Sequence, residues 1–189
     1  MALLVGNAHY SREQYAEAVP FLEMYMASTY NPAPGDSYRM GYSYYRTGDF
    51  EKAIDYFTKA SKEDNALGQI ATYQLADSYL ELDHKKYAQN AFKLASKQFH
   101  DPEITEDALF NYAKLAYELS YDPFHEAIIA FEQYLKTYPN SDRQDEAFEF
   151  LLKVHLATKN YSAAIDALDK IKTLDPIQKE HYQLSAYNL

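Results

Sequence analysis

The stretch Gly41-Tyr-Ser-Tyr-Tyr-Arg-Thr-Gly-Asp-Phe-Glu-Lys-Ala-Ile-Asp-Tyr-Phe-Thr-Lys-Ala-Ser-Lys-Glu-Asp-Asn65 decides how this chain folds. Apolar residues recur at every third or fourth position on each side of Gly48-Asp49. That period is typical of helices that bury one face, and the interruption between the two runs is typical of a tight turn. The stretch therefore predicts two antiparallel helices joined by a short turn.

Small residues within this stretch predict that the two helices approach each other closely. Gly41 and Tyr44 lie on one face of the first helix, and Ala53, Phe57 and Ala60 form the facing stripe of the second. A glycine inside a helix costs about 1 kcal/mol relative to alanine, so a favourable contact should offset that cost. Close packing of the second helix against Gly41 would provide it.

The same residue types recur at a nearly constant interval along the chain. The alanines stand 35, 35, 39 and 37 residues apart, at Ala18, Ala53, Ala88, Ala127 and Ala164. Four positions after each alanine comes a large apolar residue, which is Leu22, Phe57, Phe92, Phe131 or Leu168. An interval of this length indicates a helical repeat array with five second helices.

The pattern resembles the tetratricopeptide repeat, which carries a small residue and an aromatic on its first helix, then alanine, aromatic and alanine on its second. The resemblance implies an all-α fold, a right-handed α-solenoid of antiparallel helix pairs. We expect a single array over residues 1–189 that is a piece of a longer protein. Its copies span about 1–31, 34–65, 67–99, 102–139 and 141–176, with a partial copy at 177–189.

Composition and charge narrow the function classes. The 189 residues are 47% hydrophobic and 24% charged with a formal net charge of -10, and the acids are spread among lysines. Nucleic-acid binding relies on clustered Lys and Arg, so no nucleic-acid partner is expected. No apolar run approaches the length of a membrane span, so direct membrane insertion is not expected either. The absence of cysteine excludes disulfides and thiolate chemistry.

Two of the segments that connect helices have features that can be predicted. At the end of the turn-rich segment 31–36, Asp36 or Ser37 is expected to cap the next helix. In the fourth copy, residues 120–123 hold two additional residues, and Pro123 suits the start of the second helix. This insertion is either a tolerated change of length or a contact point for a partner.

Catalytic and metal-binding motifs are missing from the sequence. The six histidines show no metal-ligand spacing, and neither a phosphate-binding glycine loop nor Gly-Xaa-Ser-Xaa-Gly is present. His9 and His155 stand where the repeat elsewhere has Tyr44 and Tyr79, so we expect both to be packing residues. We therefore expect no enzyme activity, no metal and no cofactor.

In tetratricopeptide arrays the leading helices line a concave groove, so the resemblance implies that their outward-facing residues touch partners. The partner-binding candidates are Tyr10, Tyr38, Tyr42, Tyr45, Tyr73, Asp77, Phe110, Lys114, Tyr117 and Lys153. Tyrosine suits recognition because it buries a large area and keeps a hydroxyl group for hydrogen bonding. A helical tyrosine stripe can equally be packing. If the groove assignment holds, Tyr42→Ala should leave stability nearly intact, whereas Phe57→Ala should cost about 3–5 kcal/mol.

Two functions follow from this groove. The first is a non-catalytic protein-protein interaction scaffold that binds a peptide or protein segment, with selectivity for charge at Asp77, Lys114 and Lys153. The alternative is a glycan-binding platform that depends on a tight tyrosine cluster. A third possibility is end-to-end self-association through exposed repeat ends.

One segment suggests a cellular setting. The segment from Phe131 to Ser141 resembles repeat copies in bacterial envelope proteins, among them outer-membrane assembly lipoproteins and coordinators of cell-envelope constriction. The resemblance implies a bacterial protein of the periplasm or cell envelope, with the cytoplasm as the alternative.

Overall fold

The computed structural model describes residues 1–119 and 124–189. Within them the secondary structure is entirely helical, and the predicted insertion at residues 120–123, including Pro123, lies outside the described residues. The helices are α1 (Ala2–Tyr10), α2 (Tyr15–Ser28), α3 (Pro34–Thr47), α4 (Phe50–Ala60), α5 (Ala66–Glu81), α6 (Lys85–Ala95), α7 (Pro102–Glu118), α8 (His125–Thr137), α9 (Gln144–Ala157), α10 (Tyr161–Leu168) and α11 (Pro176–Tyr187). The prediction of an all-α repeat fold is confirmed. Odd-numbered helices are the leading helices of the copies, and even-numbered helices are the trailing ones.

The predicted turn between α3 and α4 is present. Gly48 ends α3 in the left-handed region at φ +83°, a conformation that glycine adopts without steric cost. Asp49 then caps α4, because its carboxylate accepts a hydrogen bond from the backbone N–H of Lys52 at 3.3 Å. The two residues therefore stop one helix and start the next.

Close approach at Gly41 is also confirmed. A Cβ atom placed on Gly41 would lie 3.0 Å from Cδ1 of Phe57 and 3.2 Å from Cβ of Tyr56. Gly6 has the same relation to α2, since its Cβ would lie 2.8 Å from Cδ2 of Leu22. The first two helix pairs thus pack through glycine at equivalent positions.

The chain contains two compact units, Met1–Ala108 and Leu109–Leu189, and each is described by itself. In the first unit the repeat alanines at 18, 53 and 88 are fully buried, and so are Phe57 and Phe92. In the second unit Ala127, Ala164 and Phe131 are fully buried as well. The residues that recur at the repeat interval therefore form the cores of both units.

The expected helix cap at Asp36 or Ser37 is wrong. Helix α3 begins before both residues, at Pro34, because proline fits the first helical position with its fixed φ and missing N–H, and Ala33 takes the N-cap position. Asp36 lies in the first turn, where its carboxylate accepts hydrogen bonds from Tyr25 and Arg39, each at 3.0 Å. Asp36 therefore joins α2 to α3 instead of capping the helix.

Membrane-spanning character is not found among the described helices, since none combines sufficient length with sufficient apolarity.

Candidate functional site

Five tyrosines in the first unit form a tyrosine cluster, made of Tyr10, Tyr15, Tyr38, Tyr42 and Tyr45. Tyr42 is its centre. The ring centroid of Tyr42 lies 6.1 Å from that of Tyr10, 5.5 Å from Tyr15, 5.9 Å from Tyr38 and 6.3 Å from Tyr45. Four of these five residues were predicted from the sequence to bind a partner, and the structure brings those four together.

Helix geometry explains how the cluster forms. Tyr38, Tyr42 and Tyr45 are spaced four and then three residues apart on α3, so they lie on one face of that helix. Tyr10 ends α1 and Tyr15 begins α2, which places both rings beside this face. All five side chains are partly buried, neither fully enclosed nor fully exposed. Burial and the neighbouring hydroxyl groups of Tyr15 and Tyr42 raise the pKa of Tyr10 to about 12.

Arg46 belongs to the same surface. Its guanidinium carbon lies 4.7 Å from the ring centroid of Tyr15. Its Nη1 atom donates a hydrogen bond to the hydroxyl oxygen of Tyr42 at 3.2 Å. Tyr15 and Arg46 were not among the predicted residues. Arg46 stands four residues after Tyr42, which is the spacing that brings helical side chains together.

Next to the tyrosine cluster lies a set of carboxylates, which we call the acidic patch: Asp77, Glu81 and Asp107. Burial, together with the nearby charges of Asp107 and Glu81, raises the pKa of Asp77 to about 7. Tyr73 donates a hydrogen bond to Asp107. Burial raises the pKa of Tyr45, with a further contribution from Asp77 and Glu81, so the patch and the cluster adjoin.

Phe110 was expected to face solvent, but its side chain is buried. Its side chain is only 2% exposed, and its ring packs 5.0 Å from that of Tyr134 and 6.0 Å from that of Phe131. The guanidinium of Arg143 lies 5.0 Å from the Phe110 ring centroid. These contacts make Phe110 part of the core of the second unit, so it cannot touch a partner directly.

Two of the remaining candidates in the second unit, Tyr117 and Lys153, lie beside Phe150, which was not among the predicted residues. The ring centroid of Tyr117 lies 5.4 Å from that of Phe124 and 5.3 Å from that of Phe150. These contacts leave the Tyr117 side chain partly buried. Lys153 is exposed, with its ammonium nitrogen 4.9 Å from the Phe150 ring centroid. Lys114 is near Glu146, with 3.8 Å between Nζ and Oε1. Lysine-aromatic contacts of this kind are typical of a partly solvated helix face.

Both histidines that were expected to pack do so. His9 stacks on Phe21 with ring centroids 5.6 Å apart, and His155 is 8% exposed. Over residues 1–119 and 124–189, no group of three or more His, Asp and Glu side chains is arranged to hold a metal ion.

Two protein-family models match the sequence. The model of the tetratricopeptide repeat matches residues 107–141. The model described as anaphase-promoting complex, cyclosome, subunit 3 matches residues 11–95. No curated protein sequence matches the chain.

Several solved structures are similar in fold. The crystal structure of MamA is 16% identical with a TM-score of 0.66, and the match covers 97% of this chain and 97% of MamA. YrrB, described as a TPR protein with an unusual peptide-binding site, is 20% identical with a TM-score of 0.66 over 95% of this chain and 88% of YrrB. BtubC from P. vanneervenii is 16% identical with a TM-score of 0.60 over 98% of this chain and 80% of its own. At these identities the likeness establishes the fold.

This fold supports a role as a protein-interaction scaffold, and tetratricopeptide proteins are generally non-catalytic scaffolds with protein or peptide partners. The recurring alanines and aromatics, the helix pairs and the matching models agree with one another. The chain therefore contains a tetratricopeptide repeat at residues 107–141 and has the fold of tetratricopeptide repeat proteins.

Proposed function

We propose that this protein is a non-catalytic scaffold whose first unit binds a peptide segment across the tyrosine cluster and the adjoining acidic patch. The observation that carries the proposal is the partial burial of the cluster: its rings pack on one another and four of them pack on the core, yet each keeps exposed surface. Such rings offer apolar area and hydroxyl groups while losing little conformational freedom on binding. They are therefore organised for recognition before the partner arrives.

The acidic patch favours a peptide that carries a lysine or arginine. Asp77 is partly buried beside Glu81 and Asp107, and its raised pKa reflects a carboxylate that lacks solvation. A cationic side chain placed there would favour the ionised carboxylate and relieve the repulsion among the acids. We expect such a peptide to bind more tightly as the pH rises through about 7, where Asp77 ionises.

A peptide explains the tyrosine geometry better than the alternative glycan does. A sugar ring needs an open aromatic face, but the Tyr42 ring is stacked by Tyr38 and Tyr45, with interplanar angles of 16° and 22°. Tyr10 and Tyr15 approach the same ring in edge-on arrangements. Tyr42 therefore organises the cluster, and its neighbours supply the contact surface.

A selection from a random peptide library displayed on phage tests the proposal. Enriched peptides should contain Lys or Arg, and they should bind Tyr45→Leu and Asp77→Asn about tenfold more weakly than the unchanged protein. Tyr87→Leu is the matched control, because Tyr87 is 62% exposed on the trailing helix α6, away from the cluster. Enriched peptides that bind all these variants equally would contradict the proposed site.

A further inference from the structure

The second unit contains a cavity of about 310 Å³ among α8, α9 and α10. Leu135, Phe148 and Leu151 contribute apolar lining. None of Lys114, Tyr117 and Lys153, the remaining candidates of this unit, lines it. The cavity is therefore separate from the predicted partner-binding residues.

His155 lines this cavity and has an unusual environment. The residue is 8% exposed, and its Nδ1 atom has no hydrogen-bond partner among the residues that the structure describes. Burial lowers the pKa of His155, although the carboxylates of Glu132 and Asp166 act in the opposite direction, so the ring is neutral at neutral pH. A buried polar atom without a partner normally costs free energy, which makes it a marker of a site that a ligand or water completes.

Charged groups at the cavity are unbalanced. Glu132 from α8 and Asp166 from α10 supply two carboxylates, whereas Lys170 supplies one ammonium group. Within the described parts of the chain, none of these three forms an ion pair. The cavity thus combines apolar lining, a neutral imidazole and an excess of negative charge.

We propose that this cavity binds an organic monocation with a short apolar stem, an alkylammonium group supplied by a free amine or by a lysine side chain of a partner. The stem occupies the apolar lining, and the ammonium group lies near the two carboxylates. The proposal is independent of the tyrosine cluster, so either can fail without the other.

Titration of the protein with n-butylammonium chloride at constant ionic strength tests this site, with the ring signals of His155 followed by NMR. A blocked lysine, acetyl-lysine-amide, tests the side-chain source, and n-butanol is the neutral probe of similar size. We expect a saturable shift of the His155 signals with the cations. In Glu132→Gln/Asp166→Asn the dissociation constant should rise about tenfold, since each exposed carboxylate contributes only modestly.

Asp169→Asn is the matched control, because Asp169 is an exposed acid close in sequence to Asp166 that does not line the cavity. It should bind like the unchanged protein. Saturation with acetyl-lysine-amide alone would assign the site to a partner's side chain, and saturation with n-butylammonium alone to a free amine. No saturable shift with either cation, equal binding of n-butanol, or equal binding by the double variant would overturn the proposal.

Discussion

The side-chain oxygen of Gln69 accepts a hydrogen bond from the backbone N–H of Asp101, with 2.7 Å between the two atoms. The same oxygen accepts the N–H of His100 at 3.1 Å, and Nε2 of Gln69 donates to Oγ1 of Thr105 at 2.8 Å. Gln69 is fully buried, so this single amide fixes the connection that leads into α7.

Replacing Gln69 by leucine should therefore destabilise the first unit. The change leaves two backbone N–H groups without their acceptor, and such losses cost about 1–3 kcal/mol each when the groups are buried. Chemical denaturation should show a lower free energy of unfolding for Gln69→Leu. Gln133→Leu, which changes an exposed glutamine, should stay close to the unchanged protein. Equal stability of the two variants would show that the hydrogen bonds of Gln69 do not hold this connection.

Tyr42 gives a second prediction, which replaces the expectation of an almost neutral substitution. Its ring contacts four other tyrosine rings, and its hydroxyl oxygen accepts a hydrogen bond from Arg46. We now expect Tyr42→Ala to cost about 2 kcal/mol, since each of the four ring pairs contributes at least about 0.5 kcal/mol and the ring is only partly buried. Phe57→Ala should cost more, about 3–5 kcal/mol, because it empties a fully buried site.

Thermal unfolding of both variants, with the exposed Tyr87→Ala as the control, measures this difference. The expected order of stability loss is Phe57→Ala, then Tyr42→Ala, then Tyr87→Ala. Losses of the same size at Tyr42 and Phe57 would mean that the tyrosine cluster is core packing, and the proposed peptide site would lose its basis.

The repeat could be predicted from the sequence because its core residues recur at helical spacing within short stretches of the chain. Ala53 and Phe57 are fully buried where the helical period places them. Gln69 carried no comparable signal, since the backbone groups that it binds lie 31 and 32 residues later in the chain. The burial of Phe110 was not predicted for a related reason. The sequence of one helix does not show whether an aromatic residue is exposed or buried, and Phe110 is buried by contacts with Tyr134 and Arg143 from later helices and loops.

Asp77 provides a prediction on pH. Its pKa is raised from 3.8 to about 7 in the folded protein, so between these values the folded state binds more protons than the unfolded state. The free energy of unfolding therefore falls as the pH rises through this range. Asp77→Asn removes the ionisation and should raise the melting temperature at about pH 8, with a smaller effect or none near pH 4.

Melting curves of Asp77→Asn and the unchanged protein at several pH values provide the measurement. Asp55→Asn is a suitable control, because Asp55 is an exposed acid of the same unit. A difference between Asp77→Asn and the unchanged protein that stays constant across the whole pH range would rule out a raised pKa at Asp77.

Gly68 leads to the last prediction, which concerns the start of α5. Asn65 caps this helix by accepting the backbone N–H of Gly68 at 3.1 Å, and that geometry turns the Gly68 Cα toward the preceding chain. A Cβ atom on Gly68 would lie only 1.7 Å from the carbonyl oxygen of Glu63. Because the obstacle is backbone, Gly68→Ala should shift the connection and destabilise the protein by about 2–3 kcal/mol.

Gly35→Ala is the matched control: it also lies in the first turn of a helix, α3, and its Cβ would be 3.7 Å from the flexible Arg39 side chain. That control should be neutral or slightly stabilising, since alanine lowers the conformational entropy of the unfolded chain. Equal melting temperatures for the two glycine variants would show that α5 does not need glycine at this position.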